Sequence, residues 1–208
     1  MKGKKTAFPT LDYLNMEATA GDACKDFESH TYLKDPYNLR PLLRYLALRC
    51  VLNCVVLGQN LTKFESRWEQ WNQTVPFGLE QVAMSYGVLY FFNIALEAAE
   101  RIDSPENKAY FLNIISIYGL WKLKEFAESL SGFFTQDHLV KINLALLELY
   151  EGVKYDVLAH CDYFFIGNVE LSSNLGAQEG GIYENIFSSM LSNPSNFGRP
   201  KWWREIWR

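Results

Sequence analysis

Glycine and proline are in short supply in this chain, with 13 Gly and 7 Pro among 208 residues. A fold of many short strands needs more turn residues than that, so the scarcity favours long helices. A basic excess is also missing. Twenty Lys and Arg stand against 24 Asp and Glu, a net charge of −4, which argues against a dedicated nucleic-acid binder. The surplus of acid lies mainly in residues 102–165 and reads as a solvated helix face. The longest charge-free stretch, Gln81 to Leu96, is too short to span a bilayer and contains Ser85, Gly87 and Asn93. No apolar targeting core follows Met1-Lys2-Gly3-Lys4-Lys5, because Pro9 and Asp12 interrupt it. A soluble intracellular protein without a transmembrane segment is the expectation.

The chemistry-bearing patterns are sparse in the same way. There is no Cys-x-x-Cys pair among the four cysteines Cys24, Cys50, Cys54 and Cys161, which fit free thiols in a reducing compartment. Cys50 and Cys54 share a helix face. With His160 and Cys161 they can be imagined as a metal site, but small buried hydrophobes describe them better. His160 and Cys161 are no better as a catalytic pair, since helix neighbours point about 100° apart. No Gly-x-Gly-x-x-Gly turn, phosphate-binding loop or Gly-x-Ser-x-Gly elbow occurs. Gly180-Gly181 before Ile182 admits an anion site at a helix N-terminus or a plain helix-entry turn, and one glycine pair favours the turn. Glu148 and Glu151 stand three apart on an exposed face, as solvent-facing acids do. No residue is assigned a catalytic, cofactor-binding or metal-binding role.

What the chain does have is apolar and aromatic bulk, 49% and 15% of its residues, enough for a core without disulfide or metal staples. Residues 1–36 mix Gly3, Pro9, Gly21 and Pro36 with scattered charges, an irregular arm with at most a short helix near Leu11–Ala18. From 37 to 208 the pattern is a helical domain. A first helix runs from Asp35-Pro36 to about Asn72, with Leu42, Leu43, Leu46, Cys50 and Leu57 at helical spacing, and Val75-Pro76-Phe77-Gly78 breaks it. The next, about Leu79 to Arg101, is apolar on every face and belongs inside a bundle or between subunits. Ser104-Pro105-Glu106 opens a third helix. Thr135 caps a fourth, whose apolar positions Leu139, Ile142, Leu146, Leu149, Val153 and Val157 recur at three and four residues. A glycine-marked loop, a short helix near Ile182–Leu191 and the basic aromatic tail from Lys201 complete the chain. The fold class is all-α: an antiparallel bundle of about four long helices plus a short C-terminal helix.

Several landmarks then fall in a specific order. They are Tyr118-Gly119-Leu120-Trp121-Lys122-Leu123, the helix over 139–158, Leu175-Gly176, Glu179-Gly180-Gly181-Ile182-Tyr183-Glu184 and Asn193-Pro194-Ser195-Asn196. This series resembles the C-terminal α-helical domain of the acyl-CoA oxidases. Gly180, Tyr183 and Glu184 match that family's turn into a short helix, and Pro194 and Asn196 match its stop. Glu179, Gly181 and Ser195 depart from it. The resemblance covers about residues 37–200. It implies association with FAD-dependent oxidation of fatty acyl-CoA to the trans-2-enoyl-CoA, with oxygen reduced to hydrogen peroxide, in peroxisomal β-oxidation. It also implies that the catalytic glutamate and the flavin contacts belong to preceding flavoprotein domains, so this chain alone is expected to bind no FAD and to be inactive. The implied partners are those flavin domains or a second copy in a homodimer. An alternative is a non-enzymatic helical interaction module. A peroxisomal location follows from the resemblance, whereas Trp207-Arg208 departs from a Ser-Lys-Leu-type signal and leaves the cytoplasm open.

Overall fold

The computed structural model describes residues 29–60, 66–163, 166–171, 173–176, 180–200 and 202–206. Most of the expected N-terminal arm, including the short helix near Leu11–Ala18, lies outside these residues, as does Cys24. Among the described residues the protein is helical, with no β-strand and one isolated bridge between Ser131 and Phe134. Two compact units are present, one ending at Tyr155 and one spanning Asp156–Arg208.

The first unit contains the four long helices: α1 (Pro36–Asn60), α3 (Glu80–Ala99), α4 (Pro105–Glu125) and α5 (Gln136–Val153), with the short α2 (Arg67–Thr74) between the first two. Short connections fold α3, α4 and α5 back on one another as antiparallel neighbours. Their starts follow the local signals. The Ser104 side chain accepts from the Asn107 amide at 3.3 Å, with Pro105 at the first helical position. Thr135 forms a reciprocal capping box with His138, whose Nδ1 accepts from the Thr135 amide at 3.2 Å.

Three boundaries differ from the sequence expectation. The helix expected to reach Asn72 is divided, α1 ending at Asn60 and α2 starting at Arg67. Val75–Leu79 does not break the chain but forms a single π-helical turn that leads into α3. Pro76 has no amide hydrogen, and the wider turn lets the helix pass it without requiring that bond. The fourth helix stops at Val153, four residues before Val157. Its apolar rhythm continues into the second unit as α6 (Val157–Tyr163), after a turn.

The core gathers Leu39, Leu43 and Leu46 of α1, Phe92 of α3, Leu120 and Leu123 of α4 and Ile142 of α5, each completely shielded from water. Gly119 marks the tightest approach. A methyl group there would stand 2.7 Å from the Phe92 ring and 3.2 Å from Leu39 Cδ1. The absent side chain lets α4 close against α1 and α3 together. Ser116, also fully buried, donates from its hydroxyl to the Lys34 carbonyl at 2.7 Å and ties the short turn Tyr32–Lys34 to α4. Two helical stretches, 36–59 and 67–99, are long and apolar enough to cross a membrane by length and composition. Both supply core residues to the bundle.

The second unit holds α6, α7 (Asn168–Leu171), α8 (Ile182–Ser192) and α9 (Trp203–Ile206). None of its described residues is buried.

Candidate functional site

The described residues bring no three His, Cys, Asp or Glu side chains together in a metal-binding arrangement. Cys50 and Cys54 do share a helix face and line a cavity of about 550 Å³ with Asn53, Phe77, Glu125 and Glu128. Burial pushes the Cys54 thiol above its ordinary range, so it stays protonated near neutral pH and is a poor nucleophile. Gly78 packs against it, with only 2.8 Å between a notional Cβ and the Cys54 sulfur. A second cavity of about 680 Å³ lies between the end of α1 and α2, walled by Val55, Trp68, Trp71 and Leu79, with Arg67 at its edge. Gln70 fastens the two helices there by donating to the Gly58 carbonyl at 2.6 Å.

The acids singled out in the sequence have structural partners. Glu148 accepts from His30 at 2.8 Å and from Lys34 at 2.7 Å, and these bonds hold its carboxyl below the usual glutamate range. It fastens the segment before α1 to α5, a role that pattern reading missed because both partners lie more than a hundred residues away. Glu151 pairs with Lys154 at the end of α5. Neither is placed as an acid or base.

Gly180 and Gly181 both adopt positive φ, 75° and 66°. They form the entry turn of α8, and the Gly181 carbonyl accepts from the Asn185 amide at 2.9 Å. At the other end Asn193 accepts from the Ser195 amide at 3.1 Å, and Asn196 donates to the Met190 carbonyl at 3.0 Å. The matched landmarks thus start and stop one helix. Tyr183 is exposed.

The uncovered apolar surface is extensive. On α8 it comprises Tyr183, Phe187, Met190 and Leu191; on α5, Val140, Leu144 and Leu147; on α3, Met84, Tyr90, Phe91 and Ile94. Single exposed apolar residues are ordinary, whereas runs along one helix face mark contact surfaces. The sequence signal for the α3 face was its lack of charge between Glu80 and Glu97.

What these observations define is an all-helical domain with broad apolar faces left open. The chain belongs to the acyl-CoA oxidase family, whose sequence model matches residues 35–208. It is 27% identical over 179 residues to peroxisomal acyl-coenzyme A oxidase 1 of Pongo abelii, an alignment covering 82% of this chain and 25% of that protein. It is 26% identical over 152 residues to putative peroxisomal acyl-coenzyme A oxidase 1.2 of Arabidopsis thaliana, covering 72% of this chain and 22% of that protein. Among solved structures, Arabidopsis thaliana acyl-CoA oxidase 1 superposes with a TM-score of 0.75 at 22% identity, covering 99% of this chain and 31% of that one. Caenorhabditis elegans acyl-CoA oxidase-1, solved with FAD and ATP, gives 0.68 at 17% identity, over 92% of this chain and 29% of that one. The chain therefore spans about a quarter of the length of the curated relatives it matches.

Proposed function

We propose that this chain is the C-terminal helical domain, or a short form, of an acyl-CoA oxidase-like protein, and that it serves FAD-dependent fatty acyl-CoA oxidation by packing on flavin-bearing domains. The observation that carries this reading is the open apolar surface, above all Asp156–Arg208, where no described residue is buried. Surface of that kind costs free energy in water and is retained where a neighbour covers it. The family's cofactor does not fit the described cavities. Glu125 and Glu128 on the first oppose a pyrophosphate, and the second offers one cation, Arg67, with no glycine turn. A peroxisomal setting is the natural one, given the relatives named above.

The experiment is peroxide detection with the purified 208-residue chain, added FAD and acyl-CoA of several chain lengths. The expected outcome is no peroxide above the flavin-only blank. Turnover that depends on the protein overturns the reading.

A second reading, a non-enzymatic interaction or dimerisation module, is favoured by one observation: α3 carries an exposed apolar face opposite its buried one.

A further inference from the structure

The short helix α2 spends one face on a single cavity. Arg67, Trp68, Gln70, Trp71 and Thr74 all line the space of about 680 Å³ between α2 and the end of α1. Glu69, the acid of this helix, is not among its walls. At about 100° per residue it stands roughly 200° round the helix from Arg67. The volume falls within the roughly 300–1,000 Å³ of small-molecule sites.

The polar groups of the wall are already used inside the protein. Gln70 donates to the Gly58 carbonyl, as described above, and the Thr74 hydroxyl donates to the Gln70 carbonyl at 2.7 Å. The space is left to two indoles, Val55, Leu79 and one guanidinium. The indoles are largely uncovered, Trp68 being 70% exposed and Trp71 53%. Gly58 lines the space from α1, and a Cβ there would have nothing within 4 Å. The missing side chain keeps that part of the cavity open.

We propose that this cavity is a binding site for a flat aromatic monoanion, its ring on the indoles and its carboxylate or sulfonate on Arg67. One cation matches one anionic group. The planar guanidinium fork takes a carboxylate through two parallel hydrogen bonds. Stacked aromatic rings attract each other beyond their area burial. A rigid ring also surrenders no rotamers on binding, whereas a flexible chain loses several in an open trough. Ring and charge are therefore both needed, and each can be removed separately. Arg67 is exposed, so solvent and salt screen its share. A ligand of about a dozen heavy atoms in such a site binds with a Kd of roughly 0.1–1 mM.

Equilibrium dialysis of the full chain against β-naphthoate, with β-naphthamide as its uncharged twin, tests the site. At low salt the naphthoate is expected to saturate a single site, and the naphthamide to bind about fivefold more weakly. Arg67→Gln should weaken naphthoate about fivefold and leave naphthamide unchanged. Gly58→Leu favours the helix while filling the gap, so both ligands should weaken at least about tenfold with an unchanged far-UV spectrum. No saturable binding up to about 2 mM overturns the proposal. So does naphthamide bound as tightly as naphthoate, or an Arg67→Gln variant that weakens both alike. Adhesion to the protein's other apolar faces would survive Gly58→Leu, and that result overturns it too. Dodecanoate that displaces naphthoate at lower concentration than unlabelled naphthoate does would assign the cavity to an alkyl chain instead. The peroxide assay reads a separate property, and neither of its outcomes alters these binding constants.

Discussion

Replacing Gly119 by alanine tests whether the bundle is held by close approach at one point or by helix content in general. In an exposed helix the change from glycine to alanine is favourable by about 1 kcal/mol, because alanine loses less backbone entropy. At Gly119 the new methyl would stand 2.7 Å from the Phe92 ring and 3.2 Å from Leu39 Cδ1, and both neighbours are fully buried. Overpacking of a closed core costs about 1–3 kcal/mol, so the net expectation is a loss of about 1 kcal/mol and a fall in Tm of about 2–4 °C. Gly152 on α5 is the internal control. It is exposed with no atom within 4 Å of a notional Cβ, and Gly152→Ala should stabilise by about 0.5–1 kcal/mol. The same substitution is thus expected to carry opposite signs at two helical sites. The clash can also be relieved from the other side. Phe92→Leu alone should cost about 1.5 kcal/mol. Combined with Gly119→Ala, the smaller side chain makes room for the methyl and the helix gain returns. The double variant should then lie about 0.5 kcal/mol below wild type, where simple addition gives about 2.5, a coupling of about 2 kcal/mol. Urea denaturation followed by circular dichroism at 222 nm measures all four proteins. Stabilisation by Gly119→Ala, or strict additivity with Phe92→Leu, would refute the reasoning.

Two further tests concern polar contacts. Thr135→Ala removes the reciprocal cap with His138 at the start of α5 and should cost about 1 kcal/mol in the same urea measurement. The Glu148 carboxyl is held below its ordinary range by Lys34 and His30. A carboxylate with a depressed folded-state pKa contributes stability that is complete above its unfolded value and is lost as the pH falls through its folded value. The wild type should therefore weaken on acidification below about pH 4.5, and Glu148→Gln should be less stable at neutral pH and show a shallower acid-side decline in the urea midpoint.

The helix starts were legible because they are local. Ser104 and Thr135 bond to amides three residues away, and the glycine pair before α8 needs only its own backbone. The end of α5 was not, because the residues that follow it carry no stop signal. Lys154-Tyr155-Asp156 contains neither glycine nor proline, and the apolar rhythm runs through Val153 to Val157. The turn at Val75–Leu79 shows the converse. Proline and glycine together read as a break, yet a π-helical turn absorbs them. Contacts distant in sequence were wholly invisible: Glu148 with His30 and Lys34, and Ser116 with the Lys34 carbonyl. Gly119 stood out only as part of a resemblance, and its reason, the Phe92 ring, lies on another helix.

The apolar content reads differently once its placement is known. Composition alone makes the aromatics core material, and Phe92 and Tyr45 are used that way. Phe91, Phe187 and Tyr183 are not, and they face solvent among further apolar neighbours. An unfavourable surface of that size, in a chain whose matched relatives are about three times longer, is what the packing role proposed above requires. A core side chain can be exchanged for another of equal volume at modest cost, whereas an interface side chain is constrained by the shape of what covers it. Substitutions at Phe91 and Phe187, both well exposed, should therefore change what the chain associates with far more than they change its folding.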